Sequence, residues 1–375
     1  MTEPDDKYSN VVNFSRRKLL KGLGVSGSAI LLGSLGCSKR QVTESGCFLT
    51  TGGQIRWIVP FPPGGGYDIY SRLLAPFYKR KLGTDIIIEN LPGAGGIIAA
   101  NQLKSSRPDG LTMGILNAPG LLVASLTGET TVPNPVTDFT ILGRIARNQV
   151  VLVTSNESAF KTIDDVMAES RKRPVLLGIS EIGSTNFVNM TVMTSLLGMK
   201  VEFIPGFAGS RETSLAVMRG EVDISAFTFE SILDRIEAGD LKPLLQISAE
   251  SISSHPSLEG VPLLGGEQGV ARRLAAESGR DGEQADSDAR ALVTLTRTGL
   301  LVAAPLGLDE NLFQCLETGL HEALIDREFQ AASAKANRSL NVGRAAETIY
   351  ELKVASEQTK QFIPVIREAI NKVRK

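Results

Sequence analysis

The sequence predicts an α/β protein built as two lobes, each a mainly parallel sheet flanked by helices, with a cleft between them. Three observations carry this expectation. From residue 54 onward, short apolar runs alternate with longer stretches of helical spacing, and strands separated by helices imply parallel sheets joined by crossovers. The chain has 375 residues, more than one hydrophobic core usually serves. Its 37 glycines and 17 prolines, against 5% aromatic residues, suit many tight turns between short elements. No repeat with a solenoid's period occurs.

Taken in order, the first segment is an address. Ser15-Arg16-Arg17-Lys18-Leu19-Leu20-Lys21 is followed by an uncharged run from Gly22 to Gly36, the layout of a secretory signal. That run is shorter than the roughly 18 residues a membrane-spanning helix needs, and Gly22, Gly24, Gly27 and Gly33 argue against a stable anchor helix. The Arg16-Arg17 pair resembles a twin-arginine export signal. Ser34-Leu35-Gly36-Cys37 resembles a lipobox with Ser34 in place of the usual leucine, which makes Cys37 the lipidation candidate and residues 37–53 a tether. Loss of residues 1–36 removes three acids and five bases from a chain of net charge -1, leaving -3. Cys47 and Cys315 remain as a pair an oxidising compartment would allow to join.

The strands and helices follow. Apolar runs at 55–61, 85–89, 112–116 and 150–154 read as buried strands, and others lie at 175–179, 201–204, 222–227, 243–248 and 299–303. Helical spacing fills 69–82, 96–106, 162–171, 185–197, 210–219 and 231–238. In the fifth of these, Leu215, Val217 and Met218 carry the apolar side while Arg211, Glu212 and Arg219 stay polar. Residues 266–292 break the pattern: their charge-rich centre, Glu277 to Arg290, is expected to be a mobile surface loop. Ala345 to Lys375 is amphipathic and helical, with a kink or break at Pro364.

Composition narrows the function. With 40 basic and 41 acidic residues there is no basic excess of the kind nucleic-acid binders carry. His255 and His321 stand far apart without a metal-binding spacing. The glycines at 64–66 and 93–96 miss the dinucleotide fingerprint, no phosphate-loop lysine motif occurs, and Ser184 and Ser210 lack a nucleophile elbow. Catalysis, cofactors and metals therefore have no anchor residues.

What the sequence does offer is four glycine-rich turns between a strand and a helix. They are Pro62-Pro63-Gly64-Gly65-Gly66-Tyr67-Asp68, Asn90 to Gly96, Gly183-Ser184-Thr185-Asn186, and Gly206-Phe207-Ala208-Gly209-Ser210. Such turns bring backbone N–H groups and hydroxyls to helix N-termini, where the dipole favours an anion. In open α/β sheets, ligands sit at the carboxyl ends of the strands. Taken singly each turn is more readily a plain tight connection than a site; four together point to an anion cleft.

Three motifs, two of these turns and one further segment, are specific. V-P-F-P-P-G-G-G-x-D at 59–68, N-x-P-G-A-G-G at 90–96 and R-P-D-G-x-T at 107–112 occur in an order and spacing that resemble the extracytoplasmic solute receptors of tripartite tricarboxylate transporters. The resemblance covers roughly 54–265 and 297–370, with weaker motifs in the C-terminal third. It implies a type II-like periplasmic-binding-protein fold, with lobe 1 at 54–146 plus 245–375, lobe 2 at 147–244, and hinges near 146–150 and 246–248. It also implies a receptor, not an enzyme, that captures a small organic carboxylate and hands it to membrane permease subunits. Carried over residue by residue, it places Gly64, Gly65, Gly66, Tyr67 and Asp68 on one lip of the cleft. Gly183, Ser184, Thr185, Asn186 and Phe187, with Gly206, Phe207, Gly209 and Ser210, form the other, and Asn117 and Ala118 the floor.

The departures bear on specificity. Tyr67 stands where a small hydroxyl residue is common, Phe187 where histidine is frequent, and Gly206-Phe207 where an aromatic-basic pair is frequent. The expected pocket is more aromatic and less basic, suited to a carboxylate with an apolar or aromatic body. The 266–292 stretch is foreign to the pattern. Were it a partner contact, the same fold would serve as a sensor signalling to a membrane kinase.

Overall fold

The computed structural model describes residues 53–128, 131–253 and 255–373. Arg16, Arg17, Cys37 and Cys47 lie outside them. In chain order the elements are β1 (Gln54–Val59), α1 (Gly66–Leu82), β2 (Asp85–Asn90), α2 (Ile97–Lys104), β3 (Thr112–Asn117), α3 (Ala118–Leu126) and β4 (Phe139–Ala146). Then come β5 (Val150–Ser155), α4 (Ile163–Lys172), β6 (Val175–Gly178), α5 (Thr185–Leu197), β7 (Val201–Ile204), α6 (Ser210–Met218), β8 (Ile224–Thr228), α7 (Leu233–Glu237) and β9 (Leu241–Gln246). The rest comprises α8 (Val270–Glu277), α9 (Gly282–Arg297), β10 (Leu300–Pro305), α10 (Glu310–Leu324), α11 (Arg327–Lys335), β11 (Gly343–Arg344), α12 (Ala345–Thr359) and α13 (Ile363–Val373).

Two sheets organise these elements, in the orders β11-β4-β10-β3-β1-β2 and β7-β6-β8-β5-β9. The two-lobed α/β fold is the expected one, but the sheets are mixed rather than mainly parallel. β1, β2 and β3 run parallel, as do β6, β7 and β8, whereas β10 opposes β3 and β4, and β5 opposes β8 and β9. The reason is where the chain crosses. β5 follows β4 after three residues, so it enters the second sheet at the end where the parallel strands finish and must run against them. β10 returns to the first sheet in the same way: Leu300 at its start pairs with Asn117 and Ala146 at the ends of β3 and β4.

β4 is a strand that pattern reading missed. Its run Phe-Thr-Ile-Leu-Gly-Arg-Ile-Ala contains a glycine and an arginine, yet Arg144 is only 1% exposed. Its guanidinium donates to Glu347 at 3.1 Å, to Glu351, and to the Asn341 carbonyl at 3.1 Å. Two glutamates one turn apart on α12 thus let a charge sit inside a central strand, because a buried cation is tolerable when paired and hydrogen-bonded.

The expectation of a mobile loop from Glu277 to Arg290, the centre of the 266–292 stretch, is overturned. The segment is the helical hairpin α8–α9, which packs on α5 and α12. Asp281 caps α9, accepting from the Glu283 and Gln284 N–H groups. Ala285, Ala289 and Leu292 are buried at helical spacing, a stripe so poor in large apolar residues that it read as polar. Asp286 on the same face accepts from the Gly266 N–H and from Arg290. The hairpin is tied to the second sheet's layer by Arg273–Asp164 at 2.6 Å and by Thr296–Asn189 at 2.7 Å. The C-terminal break falls as expected: α12 ends at Thr359, and Pro364 sits at the second residue of α13. Cys315, partly buried on α10, is disulfide-bonded.

Candidate functional site

A cavity of about 210 Å³ opens where the two sheets' parallel strands end. Three helix N-termini reach it. Gly64, Gly65, Gly66 and Tyr67 line it from the start of α1, Ser184, Thr185 and Asn186 from α5, and Gly209, Ser210 and Arg211 from α6. Neither α1 nor α6 has a side-chain cap, and α5 has only Ser184, whose hydroxyl accepts the Phe187 N–H at 3.1 Å. The first N–H groups of each helix have no partner within the helix, so amide donors and positive dipole ends face one small volume. Asn148 from the β4–β5 crossing, Phe227 and Thr228 from β8, and Leu300 at the start of β10 complete much of the wall.

The remaining expected residues serve the site from behind. Asp68 is 2% exposed and lies outside the lining. It accepts from the Gly64 N–H at 2.9 Å, from Arg72 Nε at 2.9 Å and from Asn90 Nδ2 at 3.0 Å. Burial alone would raise its pKa; hydrogen bonds from Arg72, Gly64 and Asn90 outweigh that and hold the carboxyl below its ordinary value. Asp68 is therefore a brace for the glycine loop.

Asn117, also buried, is a hub. Its Nδ2 donates to the Gly95 carbonyl at 2.8 Å, and its Oδ1 accepts from Thr185 Oγ1 at 2.6 Å. Tyr67 approaches the same oxygen at 3.5 Å, and its ring packs on Phe61 with centroids 4.8 Å apart. Burial pushes the Tyr67 hydroxyl up to about 12, against hydrogen bonds with Thr185 and Asn148, so it stays protonated as a donor.

Several expected positions do not line the cavity. Ala118 is fully buried in the first turn of α3. Phe187 is 0% exposed and packs on Phe203, ring centroids 5.5 Å apart. Its side chain belongs to the core because the α5 face it occupies points inward. Gly206 and Phe207 also lie outside the lining, and Phe207 packs on the apolar cluster beneath β8. Gly183 stands behind the wall with the Asn90–Gly96 turn. An added Cβ on Gly95 would come within 2.6 Å of the Gly183 carbonyl carbon, and one on Gly120 within 2.2 Å of its oxygen. The second glycine turn is thus a backbone-to-backbone contact between the two layers, where no side chain fits.

Pattern reading missed a charged wall. Arg211, Glu230 and Arg338 all line the cavity, and Tyr70, which lines it too, donates to the Ser339 carbonyl at 2.7 Å. Arg338 and Ser339 precede β11 in the first sheet, while Glu230 follows β8 in the second. Arg338 Nη1 donates to the Glu230 carbonyl, and Ser339 Oγ to Glu230 Oε1. No local motif marks these residues; chain separation of more than 100 positions hides them. Glu230 and Arg338 also line a second hollow of about 480 Å³, so they stand in the partition between the two. Among the described residues, no group of three or more His, Cys, Asp or Glu is placed to hold a metal.

Comparison with known proteins agrees with this architecture. A family model described as "Tripartite tricarboxylate transporter family receptor" matches residues 70–276. Protein BugT of Bordetella pertussis is 26% identical over 273 residues, covering 72% of this chain and 76% of its own length. Among solved structures, an R. palustris protein with adipate superposes with a TM-score of 0.68 at 21% identity, over 85% of this chain and 98% of that one. MatC from Rhodopseudomonas palustris with bound malate gives 0.64 at 20%, over 84% and 99%.

Proposed function

We infer the function from one premise: the chain belongs to the tripartite tricarboxylate transporter receptor family. It is a solute-binding transport component rather than an enzyme, and family membership fits an extracytoplasmic location. Beyond that, we propose that the cavity lined by the α1, α5 and α6 N-termini is the capture site for a small organic carboxylate. The supporting observation is the convergence of three helix N-termini on one small volume with Arg211 and Arg338 beside it. Amide donors in that setting hold a carboxylate through charge-assisted hydrogen bonds without a dedicated ion pair. The adipate and malate carried by two structural relatives belong to the same chemical class.

The ligand body meets Phe61, Tyr67, Tyr70 and Phe227 in the wall, so an apolar segment between polar ends suits it. The position of Phe187 in the core removes that residue from ligand selection. Membrane permease subunits are the proposed recipients of the ligand, with Arg16-Arg17 as a twin-arginine signal and Cys37 as a lipid anchor. We assign 54–146 with 245–375 to one lobe and 147–244 to the other, moving about the crossings near 146–150 and 246–248.

A thermal-shift screen of the full chain against mono-, di- and tricarboxylates and aromatic acids tests the reading. A ligand at about 100 times its Kd adds roughly 2.7 kcal/mol, an unmistakable rise in melting temperature. No rise with any acid would remove the carboxylate assignment.

A further inference from the structure

Cys315 on α10 is disulfide-bonded, and its partner follows from elimination and reach. The chain has three cysteines, so within one chain the partner is Cys37 or Cys47, both ahead of the described residues. The part of α10 around Cys315 lies beside the start of β1, where that leading segment enters the fold. Leu312, one turn before Cys315, stands against Gly110, where an added Cβ would meet its Cδ1 at 2.9 Å. The next residue, Leu111, accepts the Arg56 N–H of β1 at 2.9 Å. On the other side of Cys315, the Leu316 carbonyl accepts the Tyr78 hydroxyl at 2.8 Å, and the Tyr78 ring meets Trp57 of β1 edge-on, centroids 6.1 Å apart. Cys315 is thus bracketed by two residues tied to the first half of β1. Cys47 precedes Gln54 by seven positions, an extended reach of about 25 Å. Cys37 precedes it by seventeen, and closing the longer loop costs more chain entropy. Cys37 is also the sulfur that a lipid thioether would consume, and one sulfur cannot carry both bonds.

We propose that Cys47 and Cys315 form a disulfide that docks the end of the tether, residues 47–53, on α10 beside the start of β1 and leaves Cys37 to the lipid. The two thiols give up two protons and two electrons to a disulfide-bearing oxidant of an oxidising compartment, which becomes a dithiol by exchange. β1 spans six residues from this staple toward the glycine loop of the cavity, about 20 Å of strand. The staple therefore holds the first lobe by the end remote from the cavity. The second lobe, 147–244, contains no cysteine and stays free of it. With Cys37 acylated, the free span is the nine residues 38–46, and the lipid stands at most about 35 Å from the staple, against about 60 Å from Gln54 without it. This leash length rests on the lipid-anchor reading; the disulfide does not.

The test is peptide mapping of the exported chain, purified without reductant and with free thiols blocked before unfolding. Trypsin, cutting after Lys and Arg, releases Cys47 within 41–56 and Cys315 within 298–327. These two peptides are expected joined, and reduction should separate them. Cys315 joined to the peptide that carries Cys37, joined to a second copy of the chain, or recovered with a blocked thiol overturns the assignment. The map reads the same whether or not Cys37 is acylated, so failure of the lipid-anchor reading is distinguishable from failure of the staple. Docking has its own readout in chymotrypsin cleavage after Phe48. It is expected to be at least about tenfold slower in the oxidised chain than in Cys47→Ser or Cys315→Ser, with the two variants alike. Equal cleavage of the oxidised chain and both variants overturns the docking of the tether.

Discussion

Asn117 Oδ1 accepts a hydrogen bond from Thr185 Oγ1 at 2.6 Å, joining the end of a strand in one sheet to the first turn of a helix that follows a strand in the other. The same asparagine holds the Gly95 carbonyl, so one buried amide registers the first layer against the loop whose Ser184, Thr185 and Asn186 line the cavity. If the cavity is the capture site proposed above, its shape depends on that registration as well as on the lining itself.

Thr185→Val tests the link, because it preserves shape and removes the donor. Asn117 Oδ1 keeps its longer contacts with Tyr67 and the Gly120 N–H at 3.5 Å, so the loss is that of one hydrogen bond, about 0.5–1.5 kcal/mol, and carboxylate affinity is expected to weaken roughly twofold to tenfold. Titration with the tightest-binding acid reads it; an unchanged Kd would mean that the contact contributes nothing to the bound state.

Gly120→Ala should destabilise the fold although it adds a single methyl group. Its Cβ would stand 2.2 Å from the Gly183 oxygen, and overpacking of this kind costs about 1–3 kcal/mol. Gly66→Ala is the contrast, since nothing lies within 4 Å of a Cβ there. Its denaturant midpoint should match or exceed that of the natural chain. Equal midpoints for the two variants would contradict the close approach.

Asp68 gives the protein an acid-sensitive brace. Its folded pKa lies below the ordinary value, so the folded state binds its proton later than the unfolded chain does. The stabilisation it contributes is complete above the unfolded pKa of about 4 and disappears as pH falls through the lower, folded value. Asp68→Asn should therefore be less stable than the natural chain near neutrality, with the gap closing under acid. Unfolding midpoints measured from pH 7 down to about 2.5 give the comparison, and a constant gap would refute the account.

Arg144→Ala probes the buried charge in β4. Removing one member of a buried pair leaves the other uncompensated and typically costs about 3–5 kcal/mol. Here Glu347 and Glu351 reach solvent in part, which places the expected loss toward the lower end. Chemical denaturation should show it without a change in slope. A loss below about 1 kcal/mol would show that the pair behaves like a surface salt bridge.

Much of the fold was legible in residue order. The runs at 85–89, 112–116 and 201–204 became β2, β3 and β7, and the spacing at 185–197 became α5. Local chemistry suffices there, because a short apolar run between turns has few alternatives. β4 escaped because Arg144 interrupts its apolar pattern, and the glutamates that neutralise it come from α12, about 200 residues on. The α8–α9 hairpin escaped because alanines carry its buried stripe. Asp281 followed by Ala285, Ala289 and Leu292 was the signal available.

By itself the sequence determined the order of most strands and helices, though not β4 or the α8–α9 hairpin, together with the glycine turns at helix N-termini and the family to which they belong, since each is written in contiguous residues. Tertiary structure decided which turns face the cavity and which lie behind it. It turned Phe187 into the core, set Asp68 and Asn117 to bracing, packed the Asn90–Gly96 turn against Gly183, and brought Glu230 to Arg338 and Ser339. The physical reason is that a cavity wall is defined by what approaches from the opposite layer, and no local spacing encodes that partner.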